Sequence, residues 1–214
     1  EEVITILCDV HSNQKWAGIA LCGTKLFCAP FSASDILVID SETEETHLIP
    51  FERTTSYRNY YAITCYNNNK LYCAPLWASS VLAIDGKTEE TSMISINVEA
   101  QMIYQSVAQL GNKLHFLPHK GASTLVVDGE TGNIETHYDA NFDVKDIKDM
   151  KWNSIARCGK KLFCGPYRSD SILVLEDRCH ELNGFGDKAQ QKERGGKDER
   201  GKEEKDIIKE ERDD

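Results

Sequence analysis

Six histidines and eight cysteines are the residues with most chemical latitude in this 214-residue chain. Two histidines, His115 and His119, have HxxxH spacing, which holds a metal when both lie on one face of a helix. Here they straddle Pro118 in a strand-and-loop context, so the reading is no metal site and no bound cofactor. The cysteines contain no CxxC, and five fall on two positions of a repeat: Cys28, Cys73 and Cys164 two residues before a proline, Cys22 and Cys158 eight before one. Equivalent positions of successive repeats point the same way within their own units, which suits small apolar core fillers better than disulfide partners. No GxSxG, P-loop, GxGxxG or HExxH occurs, and no catalytic residue is assigned.

The remaining candidates are large side chains that follow the repeated prolines. The loops read PFSASD, PLWASS, PHKGAS and PYRSDS, and they present Phe31, Trp77, His119, Lys120, Tyr167 and Arg168. In a stack of such repeats, each an antiparallel sheet, the loop after the proline lies on the same face as the connection between units. Arg53, Arg58 and the acidic connection over 139–150 therefore join them. Aromatic and Arg side chains on one rim are what protein interfaces favour.

The elements that position this rim come from self-similarity. KLFCAPFSASDILVID, KLYCAPLWASSVLAID, KLHFLPHKGASTLVVD and KLFCGPYRSDSILVLE start at Lys25, Lys70, Lys113 and Lys161. Their prolines, Pro30, Pro75, Pro118 and Pro166, are 45, 43 and 48 residues apart, and fourteen residues before each stands Trp16, Tyr61, Tyr104 or Trp152. Strand-like runs over 19–22, 26–29, 36–40 and 46–49 alternate with turns. Gly23, Asn68, Gly111 and Gly159 stand between the first two, where a tight hairpin needs positive φ. Asp40, Asp85 and Asp128 open a second turn, each able to bond backbone two residues on. Four antiparallel strands in about 45 residues describe a blade, so the chain is read as an all-β protein: a β-propeller of four repeats, or a segment of a larger one. CAPFSASDILVIDSETEE and CAPLWASSVLAIDGKTEE resemble the YVTN-type and quinoprotein-like propeller repeats over residues 15–177. That resemblance implies the fold and no particular chemistry.

Residues 1–186 form the blades in this reading. Residues 1–7 (EEVITIL) align with the fourth strand of a blade, as in EETHLI from Glu44, while 152–176 supply three strands. The N-terminal strand either completes the last blade and closes a four-bladed ring, or belongs to a larger propeller. Residues 187–214 hold 20 charged side chains in 28 and cannot build a core, so they are read as a solvated tail or solitary helix.

A net charge of −10 argues against a nucleic-acid partner, and no apolar run reaches the length of a membrane-spanning helix. Unpaired cysteines and the lack of an Asn-x-Ser/Thr sequon point to a cytoplasmic address. The functional expectation is a propeller that binds a protein or small ligand through the loops of one face. The alternatives are a lyase- or hydrolase-type enzyme with its site at the central opening, and a purely structural segment.

Overall fold

The computed structural model describes residues 3–8, 13–55, 58–96, 103–120, 123–138 and 152–176. They contain fifteen strands and no helix, all within one compact unit, Glu1–Arg178. The tail expected over 187–214 and the connection over 139–150 lie outside the described residues. Sheet 1 is β1 (Trp16–Cys22), β2 (Lys25–Pro30), β3 (Asp35–Asp40) and β4 (Thr46–Pro50). Sheet 2 is β5 (Tyr60–Tyr66), β6 (Lys70–Pro75), β7 (Ser80–Asp85) and β8 (Thr91–Ser95). Sheet 3 is β9 (Ile103–Leu110), β10 (Lys113–Lys120), β11 (Ser123–Asp128) and β12 (Ile134–Tyr138). Sheet 4 has three strands among the described residues, β13 (Trp152–Cys158), β14 (Lys161–Pro166) and β15 (Leu173–Glu176). Every neighbouring pair is antiparallel and in chain order.

The repeated letters of the sequence become a repeated register. Lys25 faces Asp40, Lys70 faces Asp85, Lys113 faces Asp128 and Lys161 faces Glu176, so the conserved spacing inside each unit is a cross-strand pair of opposite charge. The hairpin residues Gly23, Asn68, Gly111 and Gly159 all have positive φ, between 54° and 64°, as the turn requires. Asp40, Asp85 and Asp128 each accept two backbone N–H groups of the following turn, at 2.8–3.1 Å. Those bonds hold all three carboxyls below their ordinary range.

Two expectations shift. The aromatic opposite the proline in sheet 2 is Tyr60, fully buried and paired with Pro75, while Tyr61 is 38 % exposed. A bulge between Tyr60 and Ala62 turns Tyr61 outward, and spacing alone does not reveal a bulge. In the outer repeats the ring N–H is spent locally: Trp16 Nε1 donates to Asp35 O at 3.0 Å and Trp152 Nε1 to Ser171 O at 3.1 Å. The second shift concerns closure. Residues 3–8 form no strand, Val3 and Leu7 are almost fully exposed, and the sheets do not close into a four-membered ring. Cys8 lies near Cys28 of sheet 1, whose thiol burial and then Cys8 push up to about 11.

Sheets 1 to 3 each pack a forward face on the next sheet, and sheets 2 to 4 each pack a back face on the one before. The innermost strands follow one another, β1 on β5, β5 on β9 and β9 on β13. Forward residues Cys22, Phe27, Ile36 and Val38 of sheet 1 meet back residues Ile63, Leu71, Cys73 and Leu82 of sheet 2. Tyr66, Tyr72, Val81 and Ala83 of sheet 2 then meet Val107, Leu114, Phe116 and Leu125 of sheet 3. Leu117 of sheet 3 meets Ile155, Cys164 and Leu173 of sheet 4. Both faces of the inner sheets are covered, so their middle strands read as continuous apolar runs, each fully buried large side chain contributing about 1.5–3 kcal/mol. Cys73 and Cys164 are fully buried core fillers, and burial raises both thiols, that of Cys164 to about 12.

Candidate functional site

The edge that carries the loops between second and third strands is held by backbone bonds before any side chain is considered. Phe31, Ser32 and Ala33 N–H groups converge on Lys15 O at 3.0–3.1 Å, clamping the sheet 1 loop to the start of β1. Asn59 does the same work across the first seam. Its N–H donates to Phe31 O at 2.7 Å, and its carbonyl accepts from Leu76 N at 2.8 Å. One residue thus ties the loop of sheet 1 to the loop of sheet 2. Asn59 is fully buried; its Oδ1 accepts from Thr55 Oγ1 at 3.0 Å, and its Nδ2 meets no acceptor among the described residues.

On this frame sits one cluster. Phe31 and Tyr61 pack edge to face, ring centroids 5.9 Å apart and planes at 74°, and the Arg58 guanidinium lies 5.6 Å from the Phe31 centroid. Phe31 and Arg58, expected on the rim, are half-buried and fix the seam between sheets 1 and 2. Trp77 and Tyr167 stand out from their loops, 51 % and 56 % exposed. Arg53 and Arg168 are also exposed. Leu76, in the repeat position of Phe31 and Tyr167, is buried under its loop, so the neighbouring Trp77 takes the outward place.

His119 and Lys120 correct the expectation of a loop. β10 runs through Lys120, which pairs with Ile103, so the strand continues two residues past the proline that ends its counterparts. The extra length of β9, eight residues against seven in β1 and β5, supplies the partner. The side chains of both residues lie outside the described ones. His115 occupies the forward-face position of Phe27 and Tyr72, a core address in the repeat. Among the described residues no three His, Cys, Asp or Glu groups are placed to hold a metal ion together.

Tyr61 was singled out only as the repeated aromatic before the proline, and Asn59 not at all. The spacing to Pro75 selected Tyr61, whereas the ring paired with that proline is Tyr60. Asn59 carried no signal, because its role is made by backbone bonds across a seam. A concavity opens at the opposite edge, between sheets 2 and 3, lined by Lys70, Asp85, Glu90, Met93 and Glu130. At the corresponding seam of sheets 1 and 2, Glu89 receives Lys25 Nζ at 2.6 Å and meets His47 Nε2 at 2.8 Å. Burial raises that carboxyl, but the two hydrogen bonds and their charges outweigh it and hold it below its ordinary range.

No family model matches the chain, and no curated protein matches it. Solved structures do. The virginiamycin B lyase of Staphylococcus aureus is similar over 78 % of this chain and 54 % of that one, at 12 % identity and a TM-score of 0.65. A streptogramin B lyase is similar over 78 % and 56 %, at 13 % identity and 0.60. A chain of a nidogen/laminin complex is similar over 74 % and 58 %, at 13 % identity and 0.54. The chain thus spans about half the length of these structures. Such identities speak for the fold alone: four antiparallel sheets stacked face to face in the manner of a β-propeller.

Proposed function

We propose that this chain is a binding module that holds a protein partner on its loop edge, with Trp77, Tyr167 and Arg168 as anchors beside the fixed cluster of Phe31, Tyr61 and Arg58. The observation that carries this reading is the exposure of two large aromatic side chains, Trp77, on a loop whose backbone is tied at Leu76 to the Asn59 carbonyl, and Tyr167. A rigid loop loses little conformational freedom when it binds, so the apolar area of its exposed ring counts almost in full. Half of a Trp or Tyr ring system is roughly 100 Å², or about 2–3 kcal/mol per anchor at ~25 cal/mol per Å². A cytoplasmic protein is the partner class in this proposal, in keeping with the cysteine usage.

The test is a W77A/Y167A/R168A variant used as bait in parallel with the unaltered protein and a K87A/K160A control, whose lysines are exposed at the opposite edge. The triple variant should lose its partner and keep its melting temperature, since exposed substitutions cost within about 0.5 kcal/mol. Undiminished capture by the triple variant, or its unfolding, would show that these side chains serve packing and not recognition.

A further inference from the structure

Five of the eight cysteines fall on repeated positions, and Cys65 is not one of them. It pairs with Leu71 across its hairpin, as Leu21, Gln109 and Arg157 pair with Leu26, Leu114 and Leu162 in the other sheets. A row that carries leucine, glutamine and arginine elsewhere is not a core address that calls for a thiol. What Cys65 meets follows from its direction. Ile63 and Cys65 point back from sheet 2, Ala20 and Cys22 point forward from sheet 1, and all four belong to one apolar cluster. In the structure Cys22 and Cys65 are both free thiols, the first buried and the second half-buried.

Two contacts fix how the innermost strands β1 and β5 run together. Near their starts, a Cβ built on Gly18 would lie 3.0 Å from Tyr61 O and 3.1 Å from Ala62 Cα. The strands therefore touch there, far inside the roughly 10 Å that separates ordinary stacked sheets. The later strands carry Ala62, Ser106 and Ser154 in the place of Gly18, so this approach belongs to the first seam. Just past the strand ends, Gly23 N–H donates to Asn68 Oδ1 at 2.6 Å. Between those contacts β1 and β5 run in the same sense, which brings Cys22 level with Cys65 and Tyr66. Tyr66 faces sheet 3, so the side chain opposite Cys22 is Cys65. Burial, and then the neighbouring Cys65, push the Cys22 thiol up to about 12.

We infer that Cys22 and Cys65 form a covalent modification site, at which hydrogen peroxide oxidises the pair to a disulfide that ties sheet 1 to sheet 2. Such a bond needs Cα atoms about 4.4–6.8 Å apart, a span that facing sheets exceed and strands in contact as at Gly18 reach. Cys65, the more exposed thiol, reacts first. Its sulfur attacks one peroxide oxygen; an S–O bond forms, the O–O bond breaks, and the other oxygen leaves as water with the thiol proton. Cys22 is closed off on its far side, where a Cβ on Gly86 would fall 2.5 Å from its Sγ, so it is reached only through Cys65. Its sulfur then attacks the sulfenic sulfur of Cys65. The S–S bond forms, the S–O bond breaks, and the hydroxyl leaves as water with the Cys22 proton. The two thiols give up two electrons and two protons, and one peroxide becomes two waters.

The experiment exposes the full chain, reduced and then freed of reductant, to hydrogen peroxide and maps every cysteine by mass spectrometry after denaturation and alkylation. Cys158, which is exposed, serves as the internal reference for peroxide dose. The expected product links the peptides of Cys22 and Cys65, has lost two hydrogen atoms, and returns to two thiols with dithiothreitol. In Cys65→Ser the Cys22 thiol should be lost at least about tenfold more slowly, because a buried thiol without its neighbour meets no oxidant. In Cys22→Ala the sulfenic acid of Cys65 has no partner and should pass on to the sulfinic acid. Sulfinic acid at Cys65 of the unaltered chain with Cys22 still a thiol overturns the inference. So does a bond from either residue to another cysteine, a pair of intact thiols once Cys158 is fully oxidised, or loss of Cys22 at an unchanged rate in Cys65→Ser.

Discussion

Replacing Gly129 by Ala tests how closely these sheets approach one another. Gly129 follows Asp128 in the turn after β11, where glycine is ordinarily credited to backbone freedom. Its φ is not positive, however, and a Cβ built on it would fall within 2.5 Å of Cδ2, Cε2 and Cζ of Tyr66, on the forward face of sheet 2. Tyr66 is 3 % exposed, its Oη donates to Glu130 Oε1 at 3.1 Å, and Tyr72 stacks on it edge-on at 6.5 Å, so the ring has nowhere to go. Overpacking of this kind costs about 1–3 kcal/mol, from which about 0.4–1 is regained because Ala restricts the unfolded chain. The net cost of about 1–2 kcal/mol lowers the melting temperature by roughly 2–8 °C at this size. Urea unfolding of G129A, Y66A and the double variant isolates the contact. In the Y66A background the Ala at 129 should cost nothing, since it then enters the space the ring has left. Gly132, at φ +74°, is the contrasting control: an Ala there should cost about 1–2 kcal/mol whether or not Tyr66 is present. If G129A were equally costly in both backgrounds, the glycine would be serving the turn, and close approach of sheets 2 and 3 would be wrong as its explanation.

Three further outcomes are expected. At pH 7 the native thiols of Cys22, Cys73 and Cys164 should resist alkylation, because burial pushes them up, to about 12 for Cys22 and Cys164; rapid labelling of any of the three would contradict the core assignment. The folded carboxyl of Glu89 is held below its ordinary 4.5, so its contribution is full above that pH and fades as pH falls through the lowered value. The melting-temperature gap between the unaltered protein and E89Q should therefore be constant above pH 5 or so and close below it, and a gap that widened on acidification would reverse the argument. Asn59→Ala keeps both backbone bonds but deletes the buried amide that anchors Thr55; it should lower stability by about 1–3 kcal/mol while leaving β-sheet dichroism intact, as measured by urea titration.

The architecture was legible because a blade repeats its turn chemistry as well as its strands. Lys25, Asp40 and Gly23 have counterparts in the other units, and the structure makes each a cross-strand pair or a positive-φ turn. Tyr61 was misassigned because a one-residue bulge changes which ring faces the core without changing the spacing of anything around it. The loop residues were legible in kind and not in depth. Phe31, Trp77 and Tyr167 look alike as aromatics after a proline, yet Phe31 is wedged under Arg58 at a seam while the other two stand clear. Depth depends on the neighbouring sheet, and contacts between sheets join residues about 45 positions apart that no local pattern connects.

The same reasoning separates what the repeat constrains from what it leaves free. A forward face must match the back face of the following sheet, so Phe27 and Tyr72 keep their size and Gly86 and Gly129 keep their lack of it. Trp77 and Tyr167, beyond Pro75 and Pro166, are exposed, and the backbone of the first loop is fixed at Leu76 by the Asn59 carbonyl, whatever side chains it carries. Substitution there leaves stacking untouched, which is the physical condition for a surface to acquire a partner. Trp77 and Tyr167 occupy such positions, whereas Arg58 and Phe31 lie on the seam and hold it. If binding is lost on changing the first pair while stability is lost on changing the second, the division between loop edge and stacking face is functional as well as structural.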